Sequence, residues 1–292
     1  MNDILYKKIL TEINEIKIID THEHIMSLTE VNKEQQNVFK MFENSYANLD
    51  LISSGMPPGT FNKKNLDDIW QIFKKYQEKT SMTTFFRNII RALKDLYDLD
   101  DDMLSDNTYQ VLSKKIEEAY QKQDWYRYVL KEKSKIEVSL LDSFWNVENF
   151  QFDKSLFLPV LRTNPFILGR EYISSFTKGK RSHSTIEDIS EAWCFNIDHF
   201  ESYLDLISTA IRKYKNNGCP AVKIGTAYER SLYFEKIPIN LAKSIYKKPL
   251  IRLILKNGKC FRISWLIILF KRPLKRICLF KFIPVFSLEI AA

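Results

Sequence analysis

The sequence predicts an α/β protein whose strands run parallel. Two observations carry that prediction. Short apolar, β-branched runs recur at IEVSLLD (136–142), LFLPVLR (156–162) and PAVKIGT (220–226), and stretches of helical period separate them. Strand and helix alternating in this way imply a parallel sheet with helical crossovers. A third observation sets the scale: 292 residues, 45% apolar and 13% aromatic, suffice for one large α/β barrel or two smaller domains.

The first element is a helix. NDILYKKILTEINEI offers Asn2 or Asp3 as an N-cap and sets Leu5, Ile9 and Ile13 on one face. It leads into KIIDTHEHIM, where Ile18 and Ile19 favour a strand and the polar cluster Asp20 to His24 follows at once. Residues 27–134 are polar, aromatic-rich and helical in pattern. Trp70, Phe73 and Tyr76 recur near helical spacing, and TTFFRNIIRALKDLYDL and DNTYQVLSKKIEEAY repeat the habit. This segment reads as a helical insertion after strand 1, packing over one end of a barrel. Residues 1–240 are therefore expected to form one unit that carries the insertion.

From residue 241 the character changes. Residues 236–292 hold 13 of the 44 Lys and Arg but one of the 36 Asp and Glu, Glu289, so this stretch carries +12 while the preceding 235 residues carry −4. The net charge of +8 thus belongs to the tail. The longest apolar run there, ISWLIILF (263–270), is about half the ~20 residues that span a bilayer. Basic residues interleaved with aromatics would suit nucleic acid or an anionic membrane, but nothing else in the chain resembles a binding module, so neither partner is expected. Cys194, Cys219, Cys260 and Cys278 are scattered, and no apolar stretch behind Met1 could serve as a signal peptide. A reducing cytoplasm is the expected location.

His22 and His24 lie two apart in extended backbone, so both imidazoles point to one side just where the strand ends. That geometry suits zinc or another divalent metal. The plain alternative is a pair of exposed loop histidines. The run IIDTHEHI resembles the opening motif of the amidohydrolase superfamily, and AVKIGTAYERSLYF (221–234) is similar to the fourth-strand region of its amidohydrolase-related branch, close to the uronate isomerases. The resemblance covers about residues 1–240.

The resemblance implies a metal-dependent hydrolase-type (β/α)8 TIM barrel with its chemistry at the C-terminal ends of the strands. It makes His22 and His24 ligands of a divalent metal, zinc by expectation, that activates water or polarises an oxygen. Lys223 falls where many relatives place a metal-bridging lysine; read from the residues alone, it is a lysine satisfied by a carboxylate in the barrel mouth. Arg162, Tyr228 and Arg230 are placed to meet a substrate carboxylate, with surface ion pairs as the bland alternative.

The chain also departs from the family. Its two other histidines, His183 and His199, precede Lys223 rather than ending a fifth or sixth strand, and no acid but Glu289 follows residue 235. ICLFKFIPV (277–285), read two nucleotides out of frame, can encode a fifth-strand histidine motif. A frameshift after about residue 245 is therefore expected, with about four of eight strands present and an aberrant tail from 241. The expected function is a metal-dependent amidohydrolase-like hydrolase acting on a small polar or sugar-acid or lactone substrate, as a possible homo-oligomer. The alternatives are a catalytically inactive truncated remnant and an isomerase of the uronate isomerase type; no catalytic residue is assigned.

Overall fold

A computed structural model describes residues 3–169, 183–228, 238–246 and 279–282. The chain divides into two compact units, Met26–Lys135 and the remainder on either side of it. Among the described residues no helix is long and apolar enough to cross a membrane. Apart from residues 241–246 and a short strand at Leu279–Phe282, the tail expected to be aberrant lies outside the described residues.

The unit that contains both ends of the chain starts with helix α1 (Asp3–Asn14). Its predicted stripe does not pack: Leu5, Ile9 and Ile13 are all about half exposed. Among the described residues five strands follow, β1 (Ile18–Glu23), β2 (Ile136–Leu141), β3 (Phe157–Arg162), β4 (Ala221–Ile224) and β5 (Leu279–Phe282). They form one sheet in the order β1-β2-β3-β4-β5, each pair parallel. This is a mixed α/β architecture with sequential parallel strands, the arrangement of a partial barrel. β3 and β4 are buried almost throughout, which is why they read as unbroken apolar runs.

Helices α10 (Asn164–Leu168), α11 (Ile186–Ala192) and α12 (Phe200–Asn216) lie between β3 and β4 in the chain. A reciprocal cap starts α11: Thr185 Oγ1 accepts from the Asp188 N–H, and the Asp188 carboxylate accepts from the Thr185 N–H. The apolar face of α12 (Leu206, Ile207, Ala210, Tyr214) packs with Leu161 of β3 and Val222 of β4 in one core. The buried hydroxyls of Tyr203 and Tyr214 donate to the carbonyls of Phe166 and Val147, so burying these rings leaves no polar group unpaired. α12 ends at Gly218, whose φ of +83° lets the chain reverse into β4. A last helix, α13 (Ile239–Tyr246), adds Ala242 to the same core.

The second unit is all helical, with α2 (Leu28–Val31), α3 (Val38–Glu43), α4 (Ala47–Ser53), α5 (Leu66–Phe73), α6 (Gln77–Thr80), α7 (Thr84–Tyr97), α8 (Tyr109–Tyr120) and α9 (Trp125–Arg127). Side-chain oxygens of Asn37, Asn65 and Thr83 cap the N-termini of α3, α5 and α7. The core is aromatic: Phe42 packs edge-on to Phe73 with ring centroids 4.8 Å apart, and Trp70 stacks on Tyr109 at 5.0 Å.

Candidate functional site

Four successive strands each deliver a polar side chain at the carboxyl end: His22 and His24 at β1, Asp142 just past β2, Arg162 at β3 and Lys223 in β4. The sheet register brings them together. Arg162 pairs with Lys223 across β3 and β4, and the Asp142 N–H donates to the Glu23 carbonyl, carrying the β1–β2 ladder one residue past β2. Parallel strands about 4.8 Å apart hold such neighbours within hydrogen-bonding reach.

Asp142 is the hub. Its Oδ2 accepts from Arg162 Nη1 at 2.8 Å and lies 2.7 Å from Lys223 Nζ. All three side chains are buried; Asp142 is 1%, Lys223 2% and Arg162 7% exposed. Burial by itself would raise the Asp142 pKa, but the adjacent Arg162 and Lys223 charges outweigh it and hold the carboxyl below the ordinary carboxylate range. Asp142 is therefore ionised, and Lys223 Nζ forms a buried ion pair with it.

The histidines face the same point. His24 Nδ1 lies 2.8 Å from the Asp142 carbonyl oxygen. A carbonyl only accepts, so Nδ1 carries the hydrogen and Nε2 keeps its lone pair. Burial is the largest influence on His24 and lowers its pKa, which keeps the ring neutral at pH 7. The Nε2 atoms of His22 and His24 lie 3.0 Å apart, and Lys223 Nζ is 3.2 Å and 3.1 Å from them. His22 is exposed and His24 half-buried, so the cluster opens toward solvent on the β1 side.

Two nitrogens about 2.1 Å from one ion, at right angles, would be about 3.0 Å apart. The 3.0 Å spacing therefore fits two ligands of one divalent ion, and His24 has the tautomer a ligand needs. Lys223 does not fit as it stands, since an ammonium has no lone pair to give. Among the described residues no group of three or more His, Cys, Asp or Glu side chains is placed to hold an ion.

The structure brings together four of the residues singled out from sequence, His22, His24, Arg162 and Lys223, and it adds Asp142, which ends the run IEVSLLD. Arg162, expected at a substrate carboxylate, is joined through Nη1 to Asp142, while its Nε finds no hydrogen-bond partner among the described residues. Tyr228 ends a short 3-10 turn after β4, and Arg230 lies outside the described residues. The lysine satisfied by a carboxylate is the arrangement observed for Lys223.

His183, set aside on sequence grounds, stacks on Phe144 with centroids 4.5 Å apart, and Phe144 meets His24 edge-on at 5.2 Å. Burial, followed by the Arg162 charge, pushes the His183 pKa down to about 4. Nothing in the spacing of the sequence signals this approach; a polar residue directly after an apolar strand was the available signal for Asp142.

Comparison with solved structures supports the architecture. Uronate isomerase from Thermotoga maritima is similar with a TM-score of 0.64 and 11% identity, over 90% of this chain and 58% of that one. Glucuronate isomerase from Caulobacter crescentus is similar at 0.59 and 13%, over 91% and 57%. The chain thus shares the fold of uronate isomerases and spans somewhat under three fifths of their length. No protein-family model matches the chain, and no curated protein does.

Proposed function

We propose that this chain carries the strand-end site of a metal-assisted isomerase acting on a small sugar acid, the uronate isomerase type. The reading rests on one observation. The strand ends gather two imidazoles at metal-ligand spacing beside a buried charge set, Arg162 and Lys223 against Asp142, with one positive charge in excess. Excess positive charge at a polar mouth favours an anionic substrate. Both structural neighbours are named as isomerases, so isomerisation has more support than the hydrolysis first expected.

In this reading His22 and His24 hold a divalent ion, zinc in our assignment, which when bound polarises a substrate oxygen. The remaining work falls to the chain. Asp142 orients His24 through its carbonyl and anchors both cations through its carboxylate. Arg162, with Tyr228 and Arg230 beyond β4, meets the substrate carboxylate. The protein is assigned to the cytoplasm, with a small-molecule substrate and neither nucleic acid nor membrane as partner.

The test is to incubate the full chain with D-glucuronate and zinc or manganese and follow the aldose-to-ketose change by NMR. We expect conversion that falls at least 100-fold in His24→Ala. Absence of conversion with every divalent ion tried sinks the isomerase reading. Glucuronate binding without turnover would mark the chain as an inactive remnant, a reading favoured by the ammonium standing beside both imidazoles.

A further inference from the structure

The cluster of His22, His24, Asp142 and Lys223 contains its own cation. Lys223 Nζ lies 3.2 Å from His22 Nε2, 3.1 Å from His24 Nε2 and 2.7 Å from Asp142 Oδ2. An ammonium only donates, and His24 Nε2, whose ring carries its hydrogen on Nδ1, offers it a lone pair. His22 Nε2 stands 3.0 Å from His24 Nε2 and 3.2 Å from the same ammonium. Two imidazoles and a carboxylate around a positive centre are also the donor set of a divalent ion.

We infer that Lys223 is the resident cation of this site: its ammonium occupies the corner a divalent ion would take and holds the chain's metal affinity down. The inference rests on the proposal that His22 and His24 are metal ligands, and it deepens that proposal by naming what controls the metal.

Three features keep the ammonium in place. Lys223 sits inside β4 between buried Val222 and Ile224. Its carbonyl accepts from both the N–H and the hydroxyl of Thr163, each at 3.0 Å, so its backbone is tied to β3. Its Nζ is paired with Asp142, whose carboxylate is buried with it. An ion seated over the three nitrogens, about 2.1 Å from each imidazole, would be held about 2 Å from Nζ. Like charges at that distance repel strongly, so an ion on the side that Lys223 occupies enters by displacing the ammonium from its carboxylate.

Asp142 has a second cation to fall back on, since Arg162 Nη1 remains 2.8 Å away when Lys223 is neutralised. Its Oδ1, buried and without a hydrogen-bond partner among the described residues, is an unused acceptor on the same carboxylate. Removing the lysine charge should convert the cluster from an ammonium site into a two-histidine, one-carboxylate metal site.

Lys223→Met keeps the aliphatic stem and removes the charge. Zinc binding by the full-length chain is measured by competition with a chromophoric chelator, and cobalt binding by its visible absorption. We expect Lys223→Met to bind zinc at least tenfold more tightly than the wild type and to develop its cobalt bands at a correspondingly lower cobalt concentration. Adding His24→Ala should abolish both effects, and Lys223→Arg should leave affinity at the wild-type level. Equal or weaker zinc binding by folded Lys223→Met overturns the inference. So does sub-micromolar, His24-dependent zinc binding by the wild type, which requires no variant to fold. If the wild type binds and Lys223→Met binds less, the histidine site stands and Lys223 is a ligand. If neither binds, the metal reading and this inference fail together.

Discussion

Substituting Asp142 by Asn keeps the shape of the side chain and removes the one negative charge among the buried strand-end residues. At 2.7 and 2.8 Å from Lys223 Nζ and Arg162 Nη1, each contact represents about 6 kcal/mol of gross Coulomb attraction at an effective dielectric of about 20. Most of that offsets the hydration the three groups lost on burial, so the pairs contribute little net stability. Breaking them is different, because Lys223 and Arg162 would stay buried and face each other uncompensated. The expected loss is about 3–5 kcal/mol. For a unit of this size that lowers the melting temperature by about 6–20 °C.

The measurement is thermal and urea unfolding of wild type, Asp142→Asn, Lys223→Met and the double variant. The double variant should recover about 1–3 kcal/mol of the Asp142→Asn loss, since one stranded cation has gone. Lys7→Ala breaks a pair of similar length, Lys7 to Asp3 at 2.9 Å, whose side chains are about three quarters exposed; it should leave the midpoint unchanged. A loss below about 1 kcal/mol for Asp142→Asn would show that the strand-end charges are solvated, and would refute the description of Asp142 as a buried hub.

Three further outcomes are expected. Gly225→Ala places a Cβ 2.6 Å from Arg162 Nη2 and 2.9 Å from its Cζ, and the buried guanidinium has little room to retreat; the cost should be about 1–3 kcal/mol by denaturant titration. His183 has its pKa lowered from 6.5 to about 4, so between those values the unfolded chain holds a proton that the folded chain rejects. The stability it contributes is complete above pH 6.5, declines as pH falls and stops declining below about 4, and His183→Asn should flatten that part of the melting-temperature profile. Phe42→Ala empties the middle of the aromatic core of residues 26–135, where Phe42 contacts Phe73 and Phe86 and is fully buried. About 3–5 kcal/mol should be lost by the same titration.

The strands were legible because parallel strands covered on both faces must be apolar throughout, and LFLPVLR and PAVKIGT are so nearly to their ends. The histidine pair was legible because a two-residue spacing in extended backbone has only one geometric reading. α1 shows the limit of such patterns: its period reports an apolar face, but Leu5, Ile9 and Ile13 remain exposed, since a period names no partner. Asp142 and His183 were missed for a related reason. A carboxylate becomes a hub only when register sets Arg162 beside Lys223, and that register is a long-range property. Lys223 makes the point most sharply. As a residue type, lysine can offer a metal a lone pair or exclude it with a charge, and nothing local to AVKIG selects between them. The selection is made 81 residues earlier in the chain, by a carboxylate that the β2–β3–β4 register delivers to 2.7 Å from Nζ. A strand-end lysine is therefore to be read by its buried counter-ion before it is read by its position in a motif.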